Sequence, residues 1–442
     1  MRHFPALSER LKGHSAAEFA ERLCYDTAAS ETLPVWADSG TSTTHDANAR
    51  GHRLSAAPSR VVRAKIEELG PGALVSWLRE QLPAPQDGFT AVGLSYDAGR
   101  GLEQLPSTAR DDLDLPDLVI ATYPAYVSGP TEMGPWRVTA RDLNAAEALV
   151  DRLAKPVSPP RPALPDTLGE SGTQEGYHAG LLHVLNGIAR GDFYQTNVAR
   201  RMEAAMGSEM SPLLYLRMRR FNPAAFGVLW ALGDGNWIAS SSPECLLDWN
   251  PETRLAKSFP IKGTRRRDES PDADEALRRE LQADPKERAE HVMIVDLVRN
   301  DLGRVAEVGS VKVDALFETQ TLPTVHHLVS TVSATVRPEC GLPELLGALF
   351  PGGSITGAPK IAAMHEIETV EPVRRSFYTG SIGFIEPSGQ ATFNILIRTC
   401  IATRGRVYYY TGGGIVADST PRREWEETVE KAAALITTLR DQ

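Results

Sequence analysis

The chain has 442 residues, 42% of them hydrophobic and 24% charged, which fits a soluble globular protein with two ordinary domains or one large one. Its formal charge of −10 argues against a general nucleic-acid binder, which carries a basic face, but leaves room for a locally positive pocket that takes a small anion. Its four cysteines, Cys24, Cys245, Cys340 and Cys400, are far apart and form no CxxC pair, which disfavours structural zinc and a disulfide framework and fits a reducing compartment.

In chain order, the opening MRHFPALSERLKG lacks the apolar core of a secretion signal. No apolar run approaches the roughly 20 residues of a membrane span. No membrane association and a cytoplasmic location are expected. LPVWADSG (Leu33–Gly40), FTAVGLSYD (Phe89–Asp97) and PDLVIATYP (Pro116–Pro124) mix apolar and β-favouring residues and stop at Gly, Pro or Asp, as short strands do. KPVSPPRPALP (Lys155–Pro165) has five prolines in eleven residues and predicts an extended linker, dividing the chain into regions 1–165 and 166–442. Beyond it, Tyr177–Arg190 reads as an amphipathic helix ending before Gly191. A second helix is expected from Asp284, with Asp284 as N-cap, Pro285 in the first position, Glu287 at capping-box spacing, and Gly303 as its end. A third starts at Thr420-Pro421, where Trp425, Val429, Ala432, Ile436 and Leu439 are spaced to form one buried stripe. Strands and helices alternate irregularly, which predicts an α+β fold with large, mainly antiparallel sheets.

Two of these helices carry Glu-x-x-Glu: Glu287 with Glu290, and Glu424 with Glu427. Spacing of three puts both side chains of a pair on one face. Two such faces meeting would make an oxygen-rich site suited to magnesium. On spacing alone, solvated surface glutamates are the better explanation of the pairs, and only the surrounding motifs raise the metal reading.

Those motifs are PIKGTRRR (Pro260–Arg267), DPKERAEHVMIVDLVRNDLGRV (Asp284–Val305), TVHHLVSTV (Thr324–Val332), PGGSITGAPK (Pro351–Lys360), NILIRT (Asn394–Thr399) and TGGGIVADSTPRREWEET (Thr411–Thr428), in this order. Together they resemble the chorismate-utilising family, which includes the large subunits of anthranilate synthase and aminodeoxychorismate synthase and, more distantly, isochorismate and salicylate synthases. The match runs from about Gly176 onward, while GLSYDAGRGLEQLP (Gly93–Pro106) is the best piece of a weaker N-terminal likeness. The resemblance implies a chorismate-binding catalytic domain over 166–442, an anthranilate synthase component I-like region over 1–165, and large antiparallel sheets packed together with helices outside. It implies magnesium bound directly by Glu290 and Glu427, with Glu287 and Glu424 supporting through water and Lys431 steadying the carboxylates. The metal would hold the ring carboxylate of chorismate, inverting the local field of an acidic protein. The enolpyruvyl carboxylate would meet Arg398, Tyr378 and backbone amides of a glycine-rich turn at Gly412, Gly413 and Gly414. Thr356 would line the ring pocket and His327 would lie near the leaving hydroxyl, with His326 packing behind.

Two positions discriminate among the family's reactions. Water-adding relatives carry a lysine base where this chain has Gln195, and glutamine cannot take a proton near neutral pH. Lys262 in PIKGT stands where anthranilate synthases and the water-adding enzymes have alanine and aminodeoxychorismate synthases have lysine. The resemblance implies that Lys262 attacks ring carbon C2 as the 4-hydroxyl leaves, and that ammonia then displaces it at C4. This needs a neutral amine, hence a depressed pKa from burial or nearby positive charge such as Arg265–Arg267. Glu244 in SSPECLL could as a bare residue equally cap a helix, but the resemblance implies that it is the matching acid and base. No cysteine sits in a Gly-x-Cys-x-Gly elbow, so ammonia is expected from a separate glutaminase partner or from solution. The product would lead to 4-aminobenzoate, for folate or an antibiotic. The rival readings are an anthranilate synthase component I with an unusual lysine, and an idle chorismate- or tryptophan-binding regulatory subunit. VWADSG (Val35–Gly40) departs from the Leu-Leu-Glu-Ser stretch of tryptophan-inhibited relatives, which leaves tryptophan binding open.

Overall fold

The structure is a computed structural model that describes residues 1–25, 29–39, 51–158, 164–165, 167–322 and 325–440. Gly40 of the VWADSG segment, residues 159–163 of the proline run, and Thr324 at the head of TVHHLVSTV lie outside the described residues.

Two large sheets dominate, and every strand ladder among the described residues is antiparallel. The first has twelve strands. One end holds N-terminal strands such as Val35–Asp38 and Ala125–Gly129, and the other holds Thr399–Thr403, Arg406–Ile415 and Gln195–Ala205. The second has ten strands, running from Ile261–Arg266 through Val325–Thr335 and Cys245–Asn250 to Phe89–Leu94, Leu118–Tyr123 and Arg60–Ala64. Alternation along the strands explains how they stack. In Gly227–Gly233, the side chains of Val228, Trp230 and Leu232 join one core while Leu229 and Ala231 join another. The core around Trp230, Phe89, Val119 and Phe377 lies between the sheets, and each outer face is covered by helices, with Phe19, Leu149 and Leu435 on one side and Leu78, Val295 and Leu346 on the other. The result is four layers, helix–sheet–sheet–helix, in an α+β fold.

Both sheets take strands from both sides of residue 165. The proline run therefore marks a change in sequence texture, while each half of the chain completes sheets begun by the other.

The three expected helices form as Gln174–Arg190, Pro285–Gly303 and Pro421–Arg440. Gly191 ends the first in a left-handed turn, φ 84°. Asp284 Oδ1 accepts from the Lys286 and Glu287 amides at 2.9 and 3.2 Å and so caps the second. In the third, the buried stripe differs from the expected one. Val429 is 45% exposed, and the inward positions are Glu424, Thr428, Ala432, Leu435 and Leu439. The stripe begins with polar residues because Thr428 is satisfied there: its Oγ1 accepts from Arg200 Nε at 2.7 Å and donates to the Trp425 carbonyl. Reading hydrophobicity alone rotates the helix by about one residue and hides that Glu424 faces inward.

Candidate active site

The site lies where the end of one sheet meets the end of the other. The strand Ile261–Arg266 ends the ten-stranded sheet, and a bulge interrupts it: Lys262 lies opposite Leu328 and Thr264 opposite His327, leaving Gly263 as the extra residue with φ 85°. A Cβ at Gly263 would lie 3.0 Å from Leu281 Cδ1 and 3.1 Å from Glu287 Oε2, so conformation and crowding both require glycine. The bulge brings the strand against the first carboxylate helix, Pro285–Gly303, and Lys262 Nζ meets Glu290 at 2.8 Å.

From the other sheet, Gly412, Gly413 and Gly414 lie inside the strand Arg406–Ile415, paired with Ala199, Val198 and Asn197. The expected glycine-rich turn is therefore a strand. Its glycines serve close approach: a Cβ at Gly413 would lie 3.3 Å from both Glu424 Oε2 and Glu427 Oε1, and one at Gly414 would lie 2.6 Å from Gln195 Nε2. Lys431 Nζ bridges Glu427 at 2.6 Å and the Gly412 carbonyl at 2.9 Å, tying the second carboxylate helix to this strand.

The two carboxylate pairs supply the hard oxygen donors that a divalent cation takes, and Gly413 leaves space between Glu424 and Glu427 that a side chain would fill. Lys262 feels Glu290, Glu427 and Glu287 together, so carboxylates of both helices converge on it. Among the described residues, no three acidic, histidine or cysteine side chains converge tightly enough to form a ready ligand set. Lys262 and Lys431 instead pair with Glu290 and Glu427.

The expected low pKa of Lys262 is not found. Burial pushes it down, but Glu290, Glu427 and Glu287 outweigh burial and raise it. Nor do the neighbouring arginines help. Arg265 is paired with Glu280 and Asp284, and Arg267 with Asp274. Glu244 behaves in the opposite way. It is buried, and desolvation pushes its carboxyl up to about 7, against hydrogen bonds from Ser354 and the Ile261 backbone and the charge of Lys262. A carboxyl balanced near neutrality can both give and take a proton.

His327 is buried, with Nδ1 2.9 Å from Thr264 Oγ1 and Nε2 without a partner. Its neighbour His326 is fixed between Thr321 and Asp274 at 2.9 and 3.0 Å, as befits packing. Gln195 is fully buried, and neither end of its amide has a hydrogen-bond partner among the described residues. Such orphaned polar groups are costly unless something fills the space beside them. Arg398 has left-handed backbone, φ 52°, and desolvation lowers its pKa, opposed among the described residues only by Tyr409 and by no acidic neighbour. A desolvated guanidinium lacking a carboxylate suits an anionic ligand. Tyr378 stacks on Tyr410 with centroids 5.0 Å apart and lies within Coulombic range of Tyr409, which itself senses Arg398. Thr356 uses its hydroxyl on the Gly352 carbonyl at 2.9 Å, so it shapes the PGGSIT turn from within.

Three residues without an assigned role in the sequence complete the site: Thr264 beside His327, and Ser354 with Asn197 behind Glu244. Two of them fall inside quoted motifs, but only the fold shows which side chains they face.

The surroundings of His327 yield a direct test. Burial, with Arg398 adding to it, holds its pKa down at about 3, well below the ordinary 6.5. Its imidazole therefore stays neutral on folding, and this contribution to stability is complete above pH 6.5 and declines as pH falls toward 3. NMR of the His327 ring should show no titration between pH 5 and 8. A midpoint near 6.5 would contradict the burial described here.

Residues 25–437 match the family described as chorismate binding enzyme. Aminodeoxychorismate synthase component 1 of Salmonella typhimurium (strain LT2) is 40% identical over 349 residues, covering 78% of this chain and 76% of that protein. Anthranilate synthase component 1 1 of Haloarcula marismortui is 38% identical over 370 residues, covering 78% and 75%. Among solved structures, anthranilate synthase component I from Streptococcus pneumoniae TIGR4 aligns with TM-score 0.75 and 25% identity over 89% of this chain and 94% of that chain. The Escherichia coli menaquinone-specific isochorismate synthase MenF aligns with TM-score 0.73 and 18% identity over 97% and 92%, a likeness of fold. No helix among the described residues is long and apolar enough to cross a membrane. The chain is an enzyme of the chorismate-binding family.

Proposed function

We propose that this enzyme replaces the C4 hydroxyl of chorismate by ammonia, giving 4-amino-4-deoxychorismate. Relatives named for C4 amination and for anthranilate synthesis match at nearly equal identity, so the choice rests on the site. The observation that carries it is Lys262 standing beside a buried acid, Glu244, in a site where Gln195 offers no base.

The covalent steps would fall to Lys262 and Glu244. Lys262 leaves Glu290, releases a proton to solvent, and its neutral amine attacks ring C2. Both conjugated ring double bonds shift, and the C4–oxygen bond breaks as Glu244 gives its proton to the departing hydroxyl, which leaves as water. Ammonia then attacks C4, the two double bonds shift back, and the Lys262 amine is expelled and takes up a proton from solvent. Glu244, now a carboxylate, takes a proton from the incoming nitrogen and is restored. Splitting one substitution into two passages lowers the barrier of each. Neutral His327, whose Nε2 has no hydrogen-bond partner among the described residues, would orient the hydroxyl. Arg398 and Tyr378 would receive the enolpyruvyl carboxylate. Magnesium held by Glu290 and Glu427, with Glu287 and Glu424 behind them, would neutralise these carboxylates and receive the ring carboxylate of the substrate.

Ammonia would come from a glutaminase partner or from solution. Cys24, Cys245 and Cys400 are buried, and burial raises the Cys24 and Cys400 thiols far above the range of a nucleophile.

Two outcomes are expected. Glu290→Gln or Glu427→Gln should reduce turnover at least a hundredfold while leaving the melting temperature within a few degrees, and EDTA should abolish activity until magnesium is returned. Full activity after metal removal would refute the metal assignment. Enzyme given chorismate and magnesium but no ammonia should accumulate a ring adduct on the peptide containing PIKGT, detected by mass mapping, and Lys262→Ala should lose both the adduct and most turnover. If Lys262 acts through charge alone, no adduct forms and Lys262→Arg stays largely active.

A further inference from the structure

We propose that Ser354 is the positioning residue for Glu244, holding its carboxyl group in the direction from which it exchanges protons, and that Asn197 in turn holds Ser354. This rests on the acid–base role given to Glu244 above. Ser354 Oγ donates to Glu244 Oε1 at 2.8 Å, and Asn197 Nδ2 donates to the Ser354 carbonyl at 2.9 Å.

The segment that carries Ser354 is fixed on every side. Thr356 Oγ1 donates to the Gly352 carbonyl at 2.9 Å, and Arg375 Nη1 to the Ile355 carbonyl at 3.0 Å. The short helix Gly353–Thr356 is wedged between two elements of the site. A Cβ at Gly352 would lie 2.9 Å from Ile395 Cδ1 and 3.4 Å from Leu246 Cδ1, two residues beyond Glu244. One at Gly353 would lie 2.3 Å from Leu297 Cδ2, on the helix that carries Glu290. With both glycines bare, the backbone packs tightly enough for the Ser354 hydroxyl to reach the acid.

A hydroxyl suits this place because it can reverse its role. It donates to a carboxylate, and by rotating it accepts from a carboxylic acid, so Glu244 can cycle between states with no heavy-atom movement. A fixed cation there would favour only the charged state. The other groups that act on Glu244 are the Ile261 backbone amide and the Lys262 ammonium, both on the neighbouring strand.

The test is the pH dependence of turnover, with free NH3 held constant at each pH. Glu244 must be protonated to release the hydroxyl, so activity falls as pH rises through its pKa. Because Ser354 favours the anion, Ser354→Ala should move this limb to higher pH by up to about one unit. The same substitution should lower kcat roughly tenfold and leave the KM for chorismate within about twofold. Asn197→Ala should shift the limb in the same direction by less. A wild-type limb in both variants, with Glu244→Gln inactive, overturns the positioning role and leaves Glu244 as the acid. Full activity of Glu244→Gln overturns the acid–base reading itself, and the positioning role with it.

Discussion

Lys262 is one cation set among several carboxylates, and this imbalance organises the site. Its Nζ pairs with Glu290 at 2.8 Å while Glu427 and Glu287 act on it from close by. Lys431 answers Glu427, and Arg265 reaches Glu287 at 3.5 Å, yet negative charge still holds Lys262 protonated. A nucleophilic amine requires that hold to be loosened. A divalent cation competing for the same oxygens is the simplest agent, and on this reading the metal pairs and the nucleophile belong to one electrostatic unit. Glu244 sits at the edge of that unit, near neutrality because burial raises it while Lys262 and its hydrogen bonds pull it down.

Such a unit needs groups from distant parts of the chain held within a few ångströms, and the two interleaved sheets supply that. Lys262 lies in the strand that ends one sheet and Gly412–Gly414 lie near the end of the other, so a helix packed against each can carry carboxylates toward Lys262. Glycines at 263, 413 and 414 permit the close contacts, because a side chain at any of them would meet a carboxylate or amide of the site. Arg398 suits an anion, being desolvated and strained, φ 52°, with no acidic partner among the described residues.

Much of this was legible in residue order, and what was not has physical causes. The helix at Asp284 announces itself through a capping aspartate and a first-position proline, both local signals. The family was readable because its motifs are long. The inward stripe of the last helix was misread because Glu424 and Thr428 are buried for polar reasons that hydrophobic spacing cannot register. The state of Lys262 was misjudged for a similar reason. Among the charges close to it in sequence, Arg265 and Arg267 are paired with other carboxylates, while Glu290, 28 residues away, meets it in space. Chain interleaving was equally hidden, since a proline-rich run reads as a boundary although strands on both sides share both sheets.

The account stands on the position at which ammonia enters the ring. Purified enzyme incubated with chorismate, magnesium and an ammonium salt should form 4-amino-4-deoxychorismate, identified by mass and chromatography, with no fluorescence until a lyase converts it to 4-aminobenzoate. Direct appearance of fluorescent anthranilate, with no 4-amino product, would contradict the role given to Lys262.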